Sequence, residues 1–268
     1  MKVDIVIWTL NSEKSLEKVL IGAVKAIGEK NINNKILVDG GSKDNTIKIG
    51  KKLGWEIYIS SKKGISYQAN VALSHVKTEF FISLEHDLLL NKEWFKTIPK
   101  YFKDKNVFVA QGIRISSNPI LYKHDVWIMD RDMFINDAYG ISIDNTMYRT
   151  EAIKKLGGFP HGHPISCDRG LRDKLNSVNK KWIIDRKIRS IHIRDSYWKS
   201  TLHDFKMTKA VVRKERSNVT SDIMVLWGKF PFLQLFYSLK YLREPRLVPF
   251  YIIHKIGMIL GYFRRKCL

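Results

Sequence analysis

Residues 35–46 read KILVDGGSKDNT, a short apolar, β-rich run that stops abruptly on a carboxylate and two glycines. Lys35–Val38 has the composition of a buried strand, and Asp39-Gly40-Gly41-Ser42 that of a tight turn. Asn45–Leu53 then shows helix-spaced apolar positions, with Asp44 as the expected N-cap and Gly54 as the expected stop. The same alternation extends outward on both sides. Val3–Trp8, Glu56–Ile59 and Phe80–Leu84 are further β-branched or aromatic runs, and Ser15–Glu29, opened by Ser12 or Ser15, is another helical pattern. This βαβαβαβ order predicts an α/β fold with a mostly parallel central sheet flanked by helices.

Open sheets of this kind bind ligands beyond the carboxyl ends of their strands. The residues so placed are Thr9-Leu10-Asn11, Asp39 to Ser42, Ser60 to Gly64, and Glu85-His86-Asp87. Most carry polar or acidic groups where an apolar strand ends, which reads as a site along one sheet edge. From Asn106 to Ile143 the pattern weakens to a short strand, Val107–Ala110, and a segment rich in Asp, Trp and Tyr. Gly157-Gly158-Phe159-Pro160 is a turn, Arg169–Leu175 a short helix, and Lys181–Asp185 and Ile188–Ile193 two strands.

The chain has 268 residues and a formal net charge of +21. That length can bury a large core. The charge attracts polyanions, whether nucleic acid, an anionic membrane face or phosphorylated substrates. Cys167 and Cys267 make no zinc-like spacing and no disulfide framework, which points to a reducing, cytoplasmic setting. Met1-Lys2 leads straight into the first strand, so no secretory signal is expected. Beyond Trp198 the chain turns basic (Lys206, Lys209, Arg213, Lys214, Arg216) in a segment expected to be helical. It then turns aromatic and aliphatic in Ile223–Leu242 and Leu247–Phe263. Lys229 and Lys240 interrupt the first of these stretches and His254-Lys255 the second, so a span of about twenty apolar residues is not expected. Helices lying in a membrane interface fit better, with a packed helical appendage as the alternative.

Four features carry chemistry. The Asp39 carboxylate can accept from a base edge such as the uracil N–H, and the paired glycines admit a ligand close to the backbone; a plain turn is the alternative. Glu85 and Asp87 repel unless a cation sits near them, and hard oxygen ligands suit Mg2+ or Mn2+ on a phosphate; a solvated loop is the alternative. Asp168 reads as a helix N-cap or as a general base for an attacking hydroxyl. His192 reads as an ordinary histidine after a strand or as a ligand.

In their order and spacing these features resemble the family 2 inverting glycosyltransferases of the GT-A fold, over roughly residues 1 to 200. Thr9-Leu10-Asn11-Ser12-Glu13 is similar to the family's opening loop, and Val38 to Thr46 to its nucleotide segment. Gly64 through Asn70 to Leu73 resembles the helix that lines the donor site. Glu85-His86-Asp87 stands in the place of the acidic metal motif. Arg149 through Gly157-Gly158-Phe159 to Asp168 resembles the acceptor-side segment, and His192 stands where many members place another metal ligand.

The resemblance implies a nucleotide-sugar donor bound by Thr9, Asn11, Glu13, Asp39, Gly41, Ser42, Lys63, Gly64, Asn70, Glu85, His86 and Arg194. It implies Mn2+ or Mg2+ on Asp87, His192 and Glu85, and Asp168 as the catalytic base. Three departures stand out. Ala69 replaces an arginine common before the helix asparagine, Glu85 replaces an aspartate, and Cys167 replaces the acid before the catalytic aspartate. A basic contact to the diphosphate is then expected from Lys62, Lys63 or Arg194, and the insert Ile113 to Asp144 is expected to shape the acceptor site.

Residues 1–200 are thus the expected GT-A catalytic domain, and 201–268 a basic, aromatic-rich helical region at the cytoplasmic face of the membrane. Asp39 favours a UDP-sugar, with GDP open; the expected acceptor is a sugar or a polyprenyl-linked group on an anionic membrane. Oligomeric state is not legible. Two other readings stand beside this one. A nucleic-acid-binding protein would suit the charge, but no RRM, zinc-finger or KH pattern is present. An inactive GT-A scaffold at a membrane would suit Ala69 and Cys167.

Overall fold

A computed structural model of the chain describes residues 1–130, 141–161, 167–194, 196–214, 236, 239–240 and 243–266. Strand β1 (Val3–Thr9) is buried along its whole length, which explains its nearly continuous apolar run. It is followed by α1 (Glu13–Ile27), β2 (Ile32–Asp39), α2 (Thr46–Lys52), β3 (Glu56–Ile59), α3 (Ile65–His75) and β4 (Phe80–Glu85). These seven elements lie within about two residues of their expected bounds at the site-bearing ends of the strands. Next come β5 (Leu88–Leu89), α4 (Trp94–Thr97), β6 (Val107–Ser116), β7 (Thr146–Arg149), α6 (Thr150–Lys155), α7 (Cys167–Ser177) and β8 (Lys181–His192), with α5 (Pro119–Asp130) between β6 and β7.

The strands form one sheet in the order β3-β2-β1-β4-β7-β6-β8-β5. Its first four strands are parallel, with Thr9 opposite Asp39, Asp39 opposite Ile59, and Trp8 opposite Glu85. That register brings four carboxyl ends to one edge. The pairs β4–β7, β6–β7 and β5–β8 are antiparallel. One apolar layer packs Leu16, Leu20 and Ala23 of α1 against Ile5 and Ile7; another packs Ala72 and Leu73 of α3 and Leu171 of α7 against Val6, Phe81 and Tyr148. Helices therefore cover both faces.

Two strands depart from expectation. β6 runs on past Ala110 to Ser116, because Gly112 does not break it. A Cβ there would meet the Ile188 carbonyl at 2.6 Å, so this glycine permits close approach of the β8 backbone. The two strands expected at Lys181–Asp185 and Ile188–Ile193 are one strand, β8. Its polar middle stays ordered because Asp185 accepts hydrogen bonds from Tyr101 Oη and the Lys187 N–H, both at 2.9 Å.

Contacts divide the chain into two compact units, Met1–Ile115 with Asp132–Ile193, and Ser116–Arg131 with Arg194–Leu268. The second contains α5, α8 (Tyr197–Lys214), a 3-10 turn at Pro245–Leu247, and α9 (Val248–Lys266). Its core is Leu121, Leu247, Phe250 and Tyr251. The buried Glu244 carboxylate accepts from Lys123 Nζ at 3.0 Å and Arg246 Nε at 2.6 Å. Among the described residues no helix is long and apolar enough to cross a membrane. Most of the stretch Ile223–Leu242 lies outside the described residues.

At the amino ends of the parallel strands, the buried Asp4 carboxylate accepts from Asn33 Nδ2 and the N–H groups of Asn34, Lys77 and Thr78, at 2.6 to 3.1 Å. An amide there would point an N–H group at some of these donors. Asp4→Asn is therefore expected to lower unfolding free energy in urea by about 2–3 kcal/mol; an unchanged midpoint and slope would show the bonds to be dispensable.

Candidate active site

Asp39, fully buried at the end of β2, organises the first part of the edge. Its Oδ1 accepts from the N–H groups of Gly41 (2.9 Å) and Ser42 (2.7 Å), and its Oδ2 from Thr9 Oγ1 (2.9 Å) and Ser42 Oγ (2.5 Å). A carboxylate offers about four acceptor sites, and all four are engaged. The loop after β1 is sewn to the same turn. The Asn11 N–H donates to Ser42 Oγ and the Lys43 N–H to Asn11 Oδ1, while Glu13 Oε2 accepts from the N–H and Nδ2 of Asn45. Asn45 occupies the N-cap position of α2, but the expected capper, Asp44, does accept from the Thr46 N–H at 3.0 Å. Asn11 at φ 50° and Gly41 at φ 94° take left-handed conformations, and nothing stands within 4 Å of a Cβ built on Gly41. The loop is thus rigid yet open at Gly41.

Helix α3 starts after Gly64 (φ 126°) and holds two parts of the edge in place. Gln68 Nε2 donates to the carbonyls of Thr9 (2.8 Å) and Val38 (3.0 Å), bridging the ends of β1 and β2. Asn70 donates to the Phe159 carbonyl at 2.7 Å and accepts from the Phe159 N–H at 2.9 Å. Its amide is the strut of the Gly157-Gly158-Phe159 turn. Lys63 is exposed in the preceding loop. Ala69 packs in the core.

At the end of β4, ligand atoms of Glu85, Asp87 and His192 lie within 4.8 Å of one another. His192 comes from the last position of β8, and its Nε2 is 3.0 Å from Asp87 Oδ2. The Ile193 N–H donates to the Asp87 carbonyl at 2.7 Å and holds the two segments together. Among the described residues, Asp87 Oδ1 is buried without a hydrogen-bond partner, a lone acceptor of the kind a bound cation satisfies. Burial tends to raise the Asp87 carboxyl. The His192 hydrogen bond and the charges of His192, His86 and Arg114 outweigh it, and the pKa falls to about 2. Two oxygens and one imidazole fit a hard or borderline divalent ion. His86 stands between the two acids in sequence.

Two residues that sequence reasoning missed complete the cluster. Arg114, on β6, has Nη1 at 3.2 and 3.3 Å from the Asp144 oxygens and 3.4 Å from Glu85 Oε2. Asp144 is fully buried; burial, and the nearby charges of Glu85 and Asp87, push its carboxyl up to about 7 against the pull of Arg114. The charge of Asp144 foremost, then those of Glu85, Asp87 and Asp168, keeps Arg114 protonated. Asp168 lies in the first turn of α7, with Oδ1 accepting from the Arg169 N–H at 2.8 Å. Burial raises its carboxyl above the ordinary 3.8 despite the opposing Arg169 and Arg114. Cys167 is buried, and its thiol is pushed to about 12, so it is neutral and unreactive at neutral pH. Arg194 belongs to the second unit, where its guanidinium is 3.5 Å from Asp204.

A parallel half-sheet that ends on the Asp39 turn and the Glu85-His86-Asp87 segment, continued by antiparallel strands, is the GT-A architecture of nucleotide-diphospho-sugar transferases. Residues 4–177 match the profile of Glycosyl transferase family 2, and the chain belongs to that family of enzymes. No curated protein sequence matches it. Among solved structures it resembles the mannosyltransferase PcManGT from Pyrobaculum calidifontis in complex with GDP-Man and Mn2+. There the TM-score is 0.69 at 12% identity, over 99% of this chain and 87% of that one. It also resembles S. aureus TarS in complex with UDP (TM-score 0.58, 17% identity, 98% and 89% covered). A third is the glucosyl-3-phosphoglycerate synthase of Mycobacterium tuberculosis with Mn2+ and UDP (TM-score 0.55, 11% identity, 79% and 78% covered). At these identities the likeness is one of fold.

Gly41 and Gly158 both have positive φ, but only at Gly158 would a Cβ run into a side chain, at Asn70 Oδ1. Gly41→Ala is expected to cost about 1–2 kcal/mol, from the backbone alone. Gly158→Ala should cost more, and Asn70→Ala in the same chain should recover part of the difference. Equal melting temperatures for the two alanine variants would argue against the strut.

Proposed function

We propose that the chain transfers a sugar from a nucleoside-diphosphate donor to an acceptor hydroxyl or phosphate, with inversion, in the assembly of a membrane-linked or cell-surface glycan. The observation that carries this reading is the convergence of Glu85, Asp87 and His192 at the end of β4. Asp87, His192 and Glu85 would hold Mn2+ or Mg2+, the ions that accompany UDP or GDP-Man in the mannosyltransferase and synthase structures. Such an ion supplies Lewis-acid neutralisation of the leaving diphosphate.

The chain's own residues do the rest. Thr9, Asn11, Glu13, Gly41 and Ser42, held by Asp39, form the nucleoside side of the site. Lys63, Gly64 and Asn70 border it through α3, and His86 stands beside the metal acids. Asp39 is filled by internal donors, so the base is chosen by the loop it builds, and UDP and GDP are both admitted. Asp168 takes the proton of the acceptor hydroxyl as that oxygen attacks the anomeric carbon. The bond to the diphosphate breaks, and the diphosphate leaves with the electron pair on the opposite face.

The base works only when ionised, so activity should fall as pH drops through the Asp168 pKa. Because that pKa is raised, the acid limb of kcat/KM is expected above 3.8. A panel of UDP- and GDP-sugars with Mn2+ tests the reading, with product configuration assigned by NMR. Inverted product is expected, and Asp168→Asn should reduce kcat by about 10²–10⁴-fold. Retained configuration, or full activity in the variant, would sink the mechanism.

The second unit supports docking on an anionic lipid surface at the cytoplasmic face, with a lipid-linked acceptor presented there. Trp198 and Leu202 on α8, and Ile252, Ile256 and Leu260 on α9, are exposed at helical spacing, beside the exposed Lys199, Lys206 and Arg246. The full chain is expected to sediment with vesicles containing anionic lipid, and much less with neutral ones. Equal binding to both, or none, would remove the membrane from this account.

A further inference from the structure

The family resemblance leaves two places empty, the arginine replaced by Ala69 and the acid replaced by Cys167. Neither position can recover its role, since Ala69 is 1% exposed in the core and Cys167 is buried beside Leu171 and Phe159. The other expected cations are engaged elsewhere or merely exposed. Lys62 Nζ lies over the Tyr67 ring at 5.4 Å, Arg194 sits beside Asp204, and Lys63 is exposed.

Arg114 and Asp144 bring a guanidinium and a carboxylate to the acid cluster from a different part of the chain. Asp144, 0% exposed, takes Nη1 of Arg114 on both its oxygens, and the same Nη1 reaches Glu85 Oε2 at 3.4 Å. A guanidinium carries five N–H groups in a fixed fork. Among the described residues, Nη2 and Nε of Arg114 make no hydrogen bond, and 35% of the side-chain surface is open. A counter-ion whose only task was to neutralise buried acids would be enclosed by them. This one keeps a planar donor edge open next to Glu85, a candidate metal ligand. Planar paired donors match phosphate oxygens.

We propose that Arg114, locked in place by the positioning residue Asp144, binds the donor's diphosphate through its free guanidinium edge. The proposal rests on the nucleoside-diphosphate reading above and adds the residue that grips the leaving group. No residue of the family's helix motif supplies this contact; the β6 strand and the segment before β7 do.

The test compares binding of UDP and GDP with that of UMP and GMP, all with Mn2+, by calorimetry. The proteins are the wild type, Arg114→Met, Arg114→Lys and Asp144→Asn, each checked by thermal melting. The expected result is a diphosphate affinity loss of about 10–100-fold in Arg114→Met, with monophosphate affinity changed by less than about threefold. Arg114→Lys should lose less, and Asp144→Asn should follow Arg114→Met in the diphosphate-to-monophosphate ratio. An unchanged ratio in folded Arg114→Met, or equal weakening of both nucleotides, overturns the proposal. If Arg114→Met does not fold, the ratio in Arg114→Lys and Asp144→Asn decides in the same way. A wild type that binds UMP or GMP but gains nothing from the second phosphate also overturns it, while leaving a nucleotide site. A wild type that binds none of the four removes the donor reading as well.

Discussion

Too many carboxylates meet at the end of β4 for the site to be neutral without help. Glu85, Asp87, Asp144 and Asp168 all act on the single guanidinium of Arg114, and His192 leans on Asp87 at 3.0 Å. In a half-buried setting such repulsion costs several kcal/mol unless cations offset it. Arg114 offsets part of it, and a divalent ion held by Glu85, Asp87 and His192, as proposed, would offset the remainder. The sheet exists in this form to bring those groups together. Parallel register puts Trp8 opposite Glu85 and Thr9 opposite Asp39, so one edge serves both the nucleoside loop and the acid cluster.

The parallel half of the fold was readable because β1, β4 and the end of β2 are buried on both faces. Burial on both sides writes long apolar runs, and polar residues at their ends then stand out. The antiparallel half left weaker traces. Gly112 lies just beyond the expected strand Val107–Ala110 and is a point of close backbone approach, while Asp185 kept a polar stretch inside β8 by bonding Tyr101. Neither effect has a period that sequence can display.

The site was legible in its acids and less so in its supports. Glu85, Asp87 and His192 do meet, although His192 is far from the others in sequence. Asp39 and Asn70 stand where expected, yet their polar groups are spent on the Thr9–Ser42 loop and on Phe159. Arg114 and Asp144 were invisible, because a buried ion pair thirty residues apart follows no local rule. Nothing in the spacing of either residue marked the other.

Asp87 and His192 are proposed to hold the divalent ion that binds the donor diphosphate. Titrating Mn2+ into the protein with saturating UDP or GDP, and reading free Mn2+ by electron paramagnetic resonance, tests it most directly. The account predicts tight uptake by the wild type, loss of that uptake in Asp87→Asn and His192→Ala, and retention in Asp168→Asn. Equal uptake by wild type and Asp87→Asn, or no uptake by either, would contradict it.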